Sequence, residues 1–345
     1  MEKYTLFLDE RDDSTSGHIL VSGFTIPNNQ LDLFEQKISE VKEIIWDKAY
    51  IESNETVLHC TELSTIYNNR HNKYLYKYIK RDAYKTFLKM DPSKIKNVYN
   101  DVYIKLCEIM KSFDITVFGC LLDKNKLHYL FDTNSRKLLE DYYNIALQSI
   151  IENYTHFLNV KNGVGYIVYE SRNSSTDVAR NSQDMTMYDN FCKIKADAKG
   201  LTYTNINSIA NRIRYLNIVR KTEENAGLEY ADFITYNLFR SFFINDNRDK
   251  SEFIKKIEKR LYNGGFVDED KDLRNFFGIR YVPEDFEKYI SMKKELDKLK
   301  NAHNKLKIER NNLIKKNDLL KQEKEELKNK LLEEKQHIVD KMSKE

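Results

Sequence analysis

Tyr4-Thr5-Leu6-Phe7-Leu8-Asp9-Glu10 carries the decisive pattern of this chain. The run from Tyr4 to Leu8 is apolar and strand-like, and it stops at a carboxylate. Val164-Gly165-Tyr166-Ile167-Val168-Tyr169 repeats the pattern and closes on Glu170. A third acid, Asp232, lies inside Gly227-Leu228-Glu229-Tyr230-Ala231-Asp232-Phe233. Steps of four, three and four residues from Leu228 reach Asp232, Thr235 and Phe239, so this acid falls on a largely apolar helical stripe. A lone carboxylate in apolar surroundings costs several kcal/mol, and three such placements point to a shared partner, most simply a metal ion. Taken singly, each has a plainer explanation. An acid after a strand starts a turn, and Asp232 pairs with an arginine or caps a neighbouring strand.

Around these acids the chain reads as strands followed by strands alternating with helices. Strands are expected at about 4–8, 18–26, 57–60, 115–122, 164–169 and 215–219, with the polar turn Asp12-Asp13-Ser14-Thr15-Ser16-Gly17 joining the first two. Helical periodicity is expected at about 30–48, 66–89, 94–112, 136–158, 177–198 and 228–243. This order predicts an α/β fold with a mixed sheet flanked by helices, and a helical insertion at about 64–112.

After Pro283 the composition shifts to Lys, Glu, Asn and Leu, which sets off residues 285–345 from a globular unit at 1–284. Met292, Leu299, Leu306, Leu313, Leu320 and Leu327 recur every seventh residue, as the d positions of a heptad. The a positions, Leu296, His303, Arg310, Asn317, Lys324 and Leu331, are mostly polar and restrict register or partner. A strict period of seven favours a two-stranded coiled coil, as a homodimer or with a partner protein, over a lone charged helix.

The chain has 345 residues, 41% of them hydrophobic, with only 10 Gly and 3 Pro, which favours a folded, helix-rich protein. Residues 285–345 hold 17 Lys and Arg against 13 Asp and Glu, which leaves 40 against 41 of the totals of 57 and 54 for residues 1–284. A nucleic acid would therefore be held by local basic patches and not by overall charge. Cys60, Cys107, Cys120 and Cys192 form no Cys-x-x-Cys pair, and free thiols fit a reducing compartment. With no basic, apolar leader at Met1 and no membrane-length apolar run, a cytoplasmic protein is expected. Walker, Gly-x-Gly-x-x-Gly and Gly-x-Ser-x-Gly motifs are absent, so nucleotide-driven motors, dinucleotide oxidoreductases and typical serine hydrolases lose support.

Phosphodiester hydrolysis with two metal ions needs carboxylates converging from different elements, and magnesium or manganese is satisfied by oxygen ligands alone. Asp9, Glu170 and Asp232 supply three, and Glu62 in Leu58-His59-Cys60-Thr61-Glu62-Leu63 is the expected fourth. His59 reads either as a ligand or general acid beside the metals or as a structural histidine. Arg172 reads either as a phosphate contact or as the neutraliser of Glu170. Arg212, Arg214, Arg220 and Lys221 flank the strand before the Asp232 helix and are the expected contacts to a nucleic-acid backbone.

Tyr4-Thr5-Leu6-Phe7-Leu8-Asp9-Glu10 resembles the opening of the proteins grouped as domain of unknown function 3800, where Asp-Glu-Ser-Gly follows the first strand. Leu58 to Leu63, Tyr169-Glu170-Ser171-Arg172 and Gly227 to Phe233 follow in the order of that family's later motifs, over about residues 1–245. The resemblance implies a ribonuclease H-like fold with a five-stranded mixed sheet and a carboxylate site for magnesium or manganese. Asp9 then matches the first-strand acid, Glu170 the acid of a later strand and Asp232 the final-helix acid. Arg11-Asp12 stands where the family has Ser-Gly, and Glu170 where Asp is usual. The leading expectation is a metal-dependent nuclease acting on DNA or RNA. A non-catalytic adaptor or nucleic-acid-binding module, assembled through its coil, is the alternative.

Overall fold

The computed structural model describes residues 1–13, 15–72, 74, 79–131, 135–172, 181–198, 201, 204–243, 251–264, 277–283 and 286–342. The chain divides into two units, Met1–Glu284 and Asp285–Glu345. The first is α/β, built on a sheet of six described strands in the order β5-β4-β1-β2-β3-β6. These are β1 (Glu2–Asp13), β2 (His18–Pro27), β3 (Thr116–Asp123), β4 (Gly163–Glu170), β5 (Ile213–Val219) and β6 (Ile279–Val282). β1, β2 and β3 run antiparallel in sequence, while β4 lies parallel to β1, β5 parallel to β4 and β6 parallel to β3.

β1 owes its unbroken apolar character to its central position between β2 and β4. Tyr4, Leu6 and Leu8 enter the core on one face, Phe7 the core on the other. The first core is closed by α6 (Ser135–Val160), with α7 (Asn181–Asp197) and α8 (Ile206–Arg212) packed on it. The second lies under α9 (Ala226–Phe243), whose residues from Gly227 to Phe239 are nearly all buried. Behind α9 stand α1 (Leu31–Ile45), α3 (Cys60–Asn68), α4 (Pro92–Ser112) and α10 (Glu252–Lys259), with the short α2 (Lys48–Ser53) after α1 and α5 (Lys124–Phe131) after β3.

The structure corrects two expectations, one just before the insertion and one within it. Residues 57–60 do not form a strand: the chain is extended up to His59 and turns into α3 at Cys60. Its N–H groups go to side chains instead of a neighbouring strand. Thr56 donates to Glu224 (2.6 Å), Leu58 to Glu229 (3.1 Å), His59 to the Tyr84 hydroxyl (2.7 Å) and Cys60 to Asp232 (2.7 Å). The helix expected over 66–89 is broken as well. α3 ends at Asn68, a 3₁₀ segment spans Asp82–Lys89, and residues 73 and 75–78 lie outside the described residues. Residues 177–180 of another expected helix also lie outside them.

Pro283 is followed by the tail helix, Phe286–Met342. Its heptad leucines Leu299, Leu306, Leu313, Leu320 and Leu327 are all exposed.

Lys42 and Glu229 lock α1 to α9. The Lys42 ammonium lies 2.9 Å from Glu229 Oε1 and 2.9 Å from Glu224 Oε2, with side chains of Lys42 and Glu229 only 7% and 2% exposed. Removing one partner of a buried pair leaves the other charge uncompensated, at a cost of about 3–5 kcal/mol. Lys42→Met is expected to lose stability on that scale in urea denaturation followed by the single tryptophan, the buried Trp46. Lys42→Met with Glu229→Gln should recover part of it, because the neutral amide oxygen can still accept the Leu58 N–H. A single variant as stable as the wild type would refute the role given to this pair.

Candidate active site

Leu8 pairs with Tyr169 in the parallel β1/β4 register, so the next residues, Asp9 and Glu170, stand side by side at the end of that ladder. Phe7 and Val168 enter the core beneath α9, and the two-residue period puts Asp9 and Glu170 on the same face. α9 crosses this face and brings Asp232. Its close approach depends on Gly227, where a Cβ would stand 2.3 Å from the Phe7 ring. Asp9, Glu170 and Asp232 line one narrow cavity of about 90 Å³, together with Glu10, Arg11, His59, Thr61, Lys221, Thr235 and Tyr236. The site therefore lies where the parallel β1/β4 pairing ends, at the C-terminal end of β4, while β1 runs on beside β2 to Asp13.

Three acids on one buried cavity repel one another. Burial first, then the charges of Glu170 and Asp232, push the Asp9 carboxyl well above its ordinary 3.8, with Lys221 and the Glu10 N–H pulling the other way. The Lys221 ammonium lies 3.0 Å from Glu170 Oε2. Burial opposes its charge, but the attraction of Glu170 and Asp9 prevails and raises it above 10.5. Asp232 has a second duty, since its Oδ2 accepts the Cys60 N–H at the start of α3. The backbone of His59 is held by Tyr84, while His59 Nδ1 is buried with no hydrogen-bond partner among the described residues.

Glu10 belongs to the opposite face of β1. It accepts Arg172 Nε at 3.1 Å and the Tyr169 hydroxyl at 2.8 Å, and the Arg172 guanidinium lies 3.4 Å from the centre of the Tyr143 ring. Arg172 thus neutralises Glu10 and not Glu170. Burial raises the Glu10 carboxyl, an effect opposed by Arg172 and Tyr169.

Of the residues singled out from sequence, Asp9, Glu170, Asp232, His59 and Lys221 come together at the cavity. Glu62 does not line it. Its Oε1 accepts the N–H groups of Lys80 and Arg81, at 3.2 Å each, and so ties α3 to the segment before the 3₁₀ turn. Arg212 sits at the start of β4, bonded to Gly163 O at 3.0 Å and Asn159 Oδ1 at 2.8 Å. Seven residues of strand, about 23 Å at roughly 3.3 Å each, separate Gly163 from Glu170. Arg214, exposed near the start of β5, is remote in the same way, whereas Arg220 is exposed directly beyond the end of β5. Glu10, Arg11, Thr61, Thr235 and Tyr236 escaped the sequence reading. Glu10 adjoins Asp9, and Thr235 lies one turn beyond Asp232 on the stripe already recognised.

The donor set is chemically suited to a hard divalent cation: carboxylate oxygens from three elements, a buried nitrogen without a partner, and a cavity walled mainly by polar groups. As the side chains stand, no three His, Cys, Asp or Glu among the described residues form a ready ligand group for one ion. Among the described residues no helix is long and apolar enough to cross a membrane. No family model, curated protein or solved structure matches this chain.

The shift of Asp9 has a definite sign. The folded protein holds the Asp9 proton more tightly than the unfolded chain, so stability falls as pH rises from about 3.8 through the raised folded value. Asp9→Asn removes this loss. In the presence of a chelator the variant is expected to gain on the wild type progressively above pH 4. Urea denaturation across pH 3.5 to 8 checks this, and a difference independent of pH would remove the electrostatic account.

Proposed function

We propose that this chain is a metal-dependent nuclease, or a closely related phosphoryl-transfer enzyme, of ribonuclease H-like fold and of the kind grouped as domain of unknown function 3800. The observation that carries the reading is the meeting of Asp9, Glu170 and Asp232, from β1, β4 and α9, at one cavity. The sheet supports it too, since β5-β4-β1-β2-β3 is a mixed five-stranded arrangement between helices, with β6 added at one edge.

On this reading the three carboxylates hold magnesium or manganese, and the bound cation supplies Lewis-acid activation of water and of the phosphodiester. The chain's own groups do the rest. His59 Nδ1, which has no hydrogen-bond partner among the described residues, is a group available to hold or move a proton at the cavity wall. Arg220, exposed beyond β5 and next to Lys221, is placed to contact a backbone phosphate. Glu62 supports α3 from outside the ligand set. The substrate class is DNA or RNA.

Cleavage of labelled DNA and RNA, single- and double-stranded, with magnesium or manganese is the test. Asp9→Asn and Asp232→Asn are each expected to lower the rate by about 10²-fold or more, the scale seen when a group stabilising developing charge is removed. Metal-independent cutting, or full activity in both variants, would sink the reading.

A second reading has its own support: Lys221 already neutralises Glu170, and the tail exposes a leucine every seventh residue. In it the chain is an assembly module working through its tail. In both readings the tail pairs with a second copy or with a partner protein. Deleting residues 285–345 is expected to convert a dimer to a folded monomer in sedimentation equilibrium. An unchanged mass would place the association elsewhere.

A further inference from the structure

Asp9, Glu170 and Asp232 crowd one small cavity, and buried carboxylates require a compensating cation. The structure supplies one from the chain. Arg172 is committed to Glu10, and Arg11 lies with its guanidinium 4.6 Å from the centre of the Tyr236 ring. Among the described residues the ion pair to the acid trio comes from Lys221, 3.0 Å from Glu170 Oε2.

The anchoring of Lys221 is one-sided. Its carbonyl accepts Arg81 Nη2 at 3.2 Å, and the turn after β5 is closed by the Glu223 N–H on Arg220 O at 3.0 Å. The main chain is therefore tethered. The ammonium, in contrast, ends a flexible four-carbon stem, and the side chain is 37% exposed. It can leave Glu170 for solvent by rotation of its own stem, with no movement of the fold.

We propose that Lys221 is a built-in counter-cation of the acidic site: it occupies Glu170 when no metal is bound and must release it when a divalent ion enters, so lysine and metal compete for the same carboxylate. The inference rests on the metal-dependent reading given above. Competition lowers apparent metal affinity by the fraction of molecules in which Glu170 is free, so a free fraction of about one tenth weakens binding about tenfold. Lys221 thereby sets a threshold of metal concentration below which the site stays closed.

The test is titration of the full chain with Mn²⁺, following free Mn²⁺ by electron paramagnetic resonance, in wild type, Lys221→Met, Lys221→Gln and Arg220→Gln. Arg220→Gln removes a neighbouring exposed charge from a residue that does not line the cavity, and so measures general electrostatics. The Lys221 variants are expected to bind Mn²⁺ about tenfold more tightly than wild type, and more tightly than Arg220→Gln. In chelator they should melt at lower temperature than wild type, and Mn²⁺ should restore them. Binding by Lys221→Met alone, with wild type silent over the same range, supports the proposal. Lys221 variants that bind no more tightly than Arg220→Gln overturn it and leave the metal-dependent reading standing. Failure of wild type and every variant to bind Mn²⁺ at millimolar concentration overturns both.

Discussion

The buried Glu229 carboxylate, held between the Lys42 ammonium and the Leu58 N–H, is the joint on which the acidic site depends. Thr56 to His59 lead without a partner strand into α3 at Cys60, and buried N–H groups left unpaired would be costly. An extended chain turns alternate N–H groups to one side, here those of Thr56, Leu58 and Cys60. Glu229 and Asp232, three residues apart on one face of α9, take two of them, and Glu224 just before the helix takes the third. α9 and its approach thereby do for this segment what a neighbouring strand would do. Lys42 offsets the burial of Glu229. One helix thus positions both Asp232 and the His59-to-Cys60 corner, so two walls of the cavity move together.

The other walls depend on register. Asp9 and Glu170 meet beneath α9 because Leu8 is paired with Tyr169; a slip of one residue would turn Glu170 to the α6 face, where Glu10 stands. The two faces neutralise their acids differently. Glu10 is matched by a guanidinium stacked on Tyr143, a planar and pre-organised partner. Glu170 is matched by an ammonium on a flexible stem. The rigid pair suits a structural role beside the site, and the movable one suits a carboxylate that has to change partners.

Much of the frame was legible in the sequence because it follows from short-range patterns. The apolar runs at Tyr4 to Leu8 and Val164 to Tyr169 are strands buried on both faces, and the stripe through Leu228, Asp232 and Thr235 lies on α9 as its period requires. The site acids were legible for the same reason, since an acid at the end of a buried run has few places to go. What stayed hidden depends on contacts distant in sequence. Val57 to Cys60 has strand-like composition, yet its hydrogen bonds go to side chains about 170 residues away. β6 is only four residues long and gains its place by pairing with β3. The placement of Arg212 and Arg214 required the direction of β5, because cations at the two ends of a strand are equally near in sequence and far apart in space.

Metal sites and folding are often coupled, since unfilled clusters of ligands repel and a metal supplies the compensation. Here the chain carries part of that compensation itself. With all three acids ionised, Asp9, Glu170, Asp232 and Lys221 carry a formal charge of −2, and a proton on Asp9 relieves more of the repulsion, as its raised pKa indicates. Lys42 with Glu229, Arg172 with Glu10 and Lys221 with Glu170 pair acids in and around the cavity with cations of the chain. On the metal-dependent reading proposed above, stability and cation affinity are set by different residues, the first by Lys42 and Arg172 deep in the structure, the second by Lys221 at the cavity.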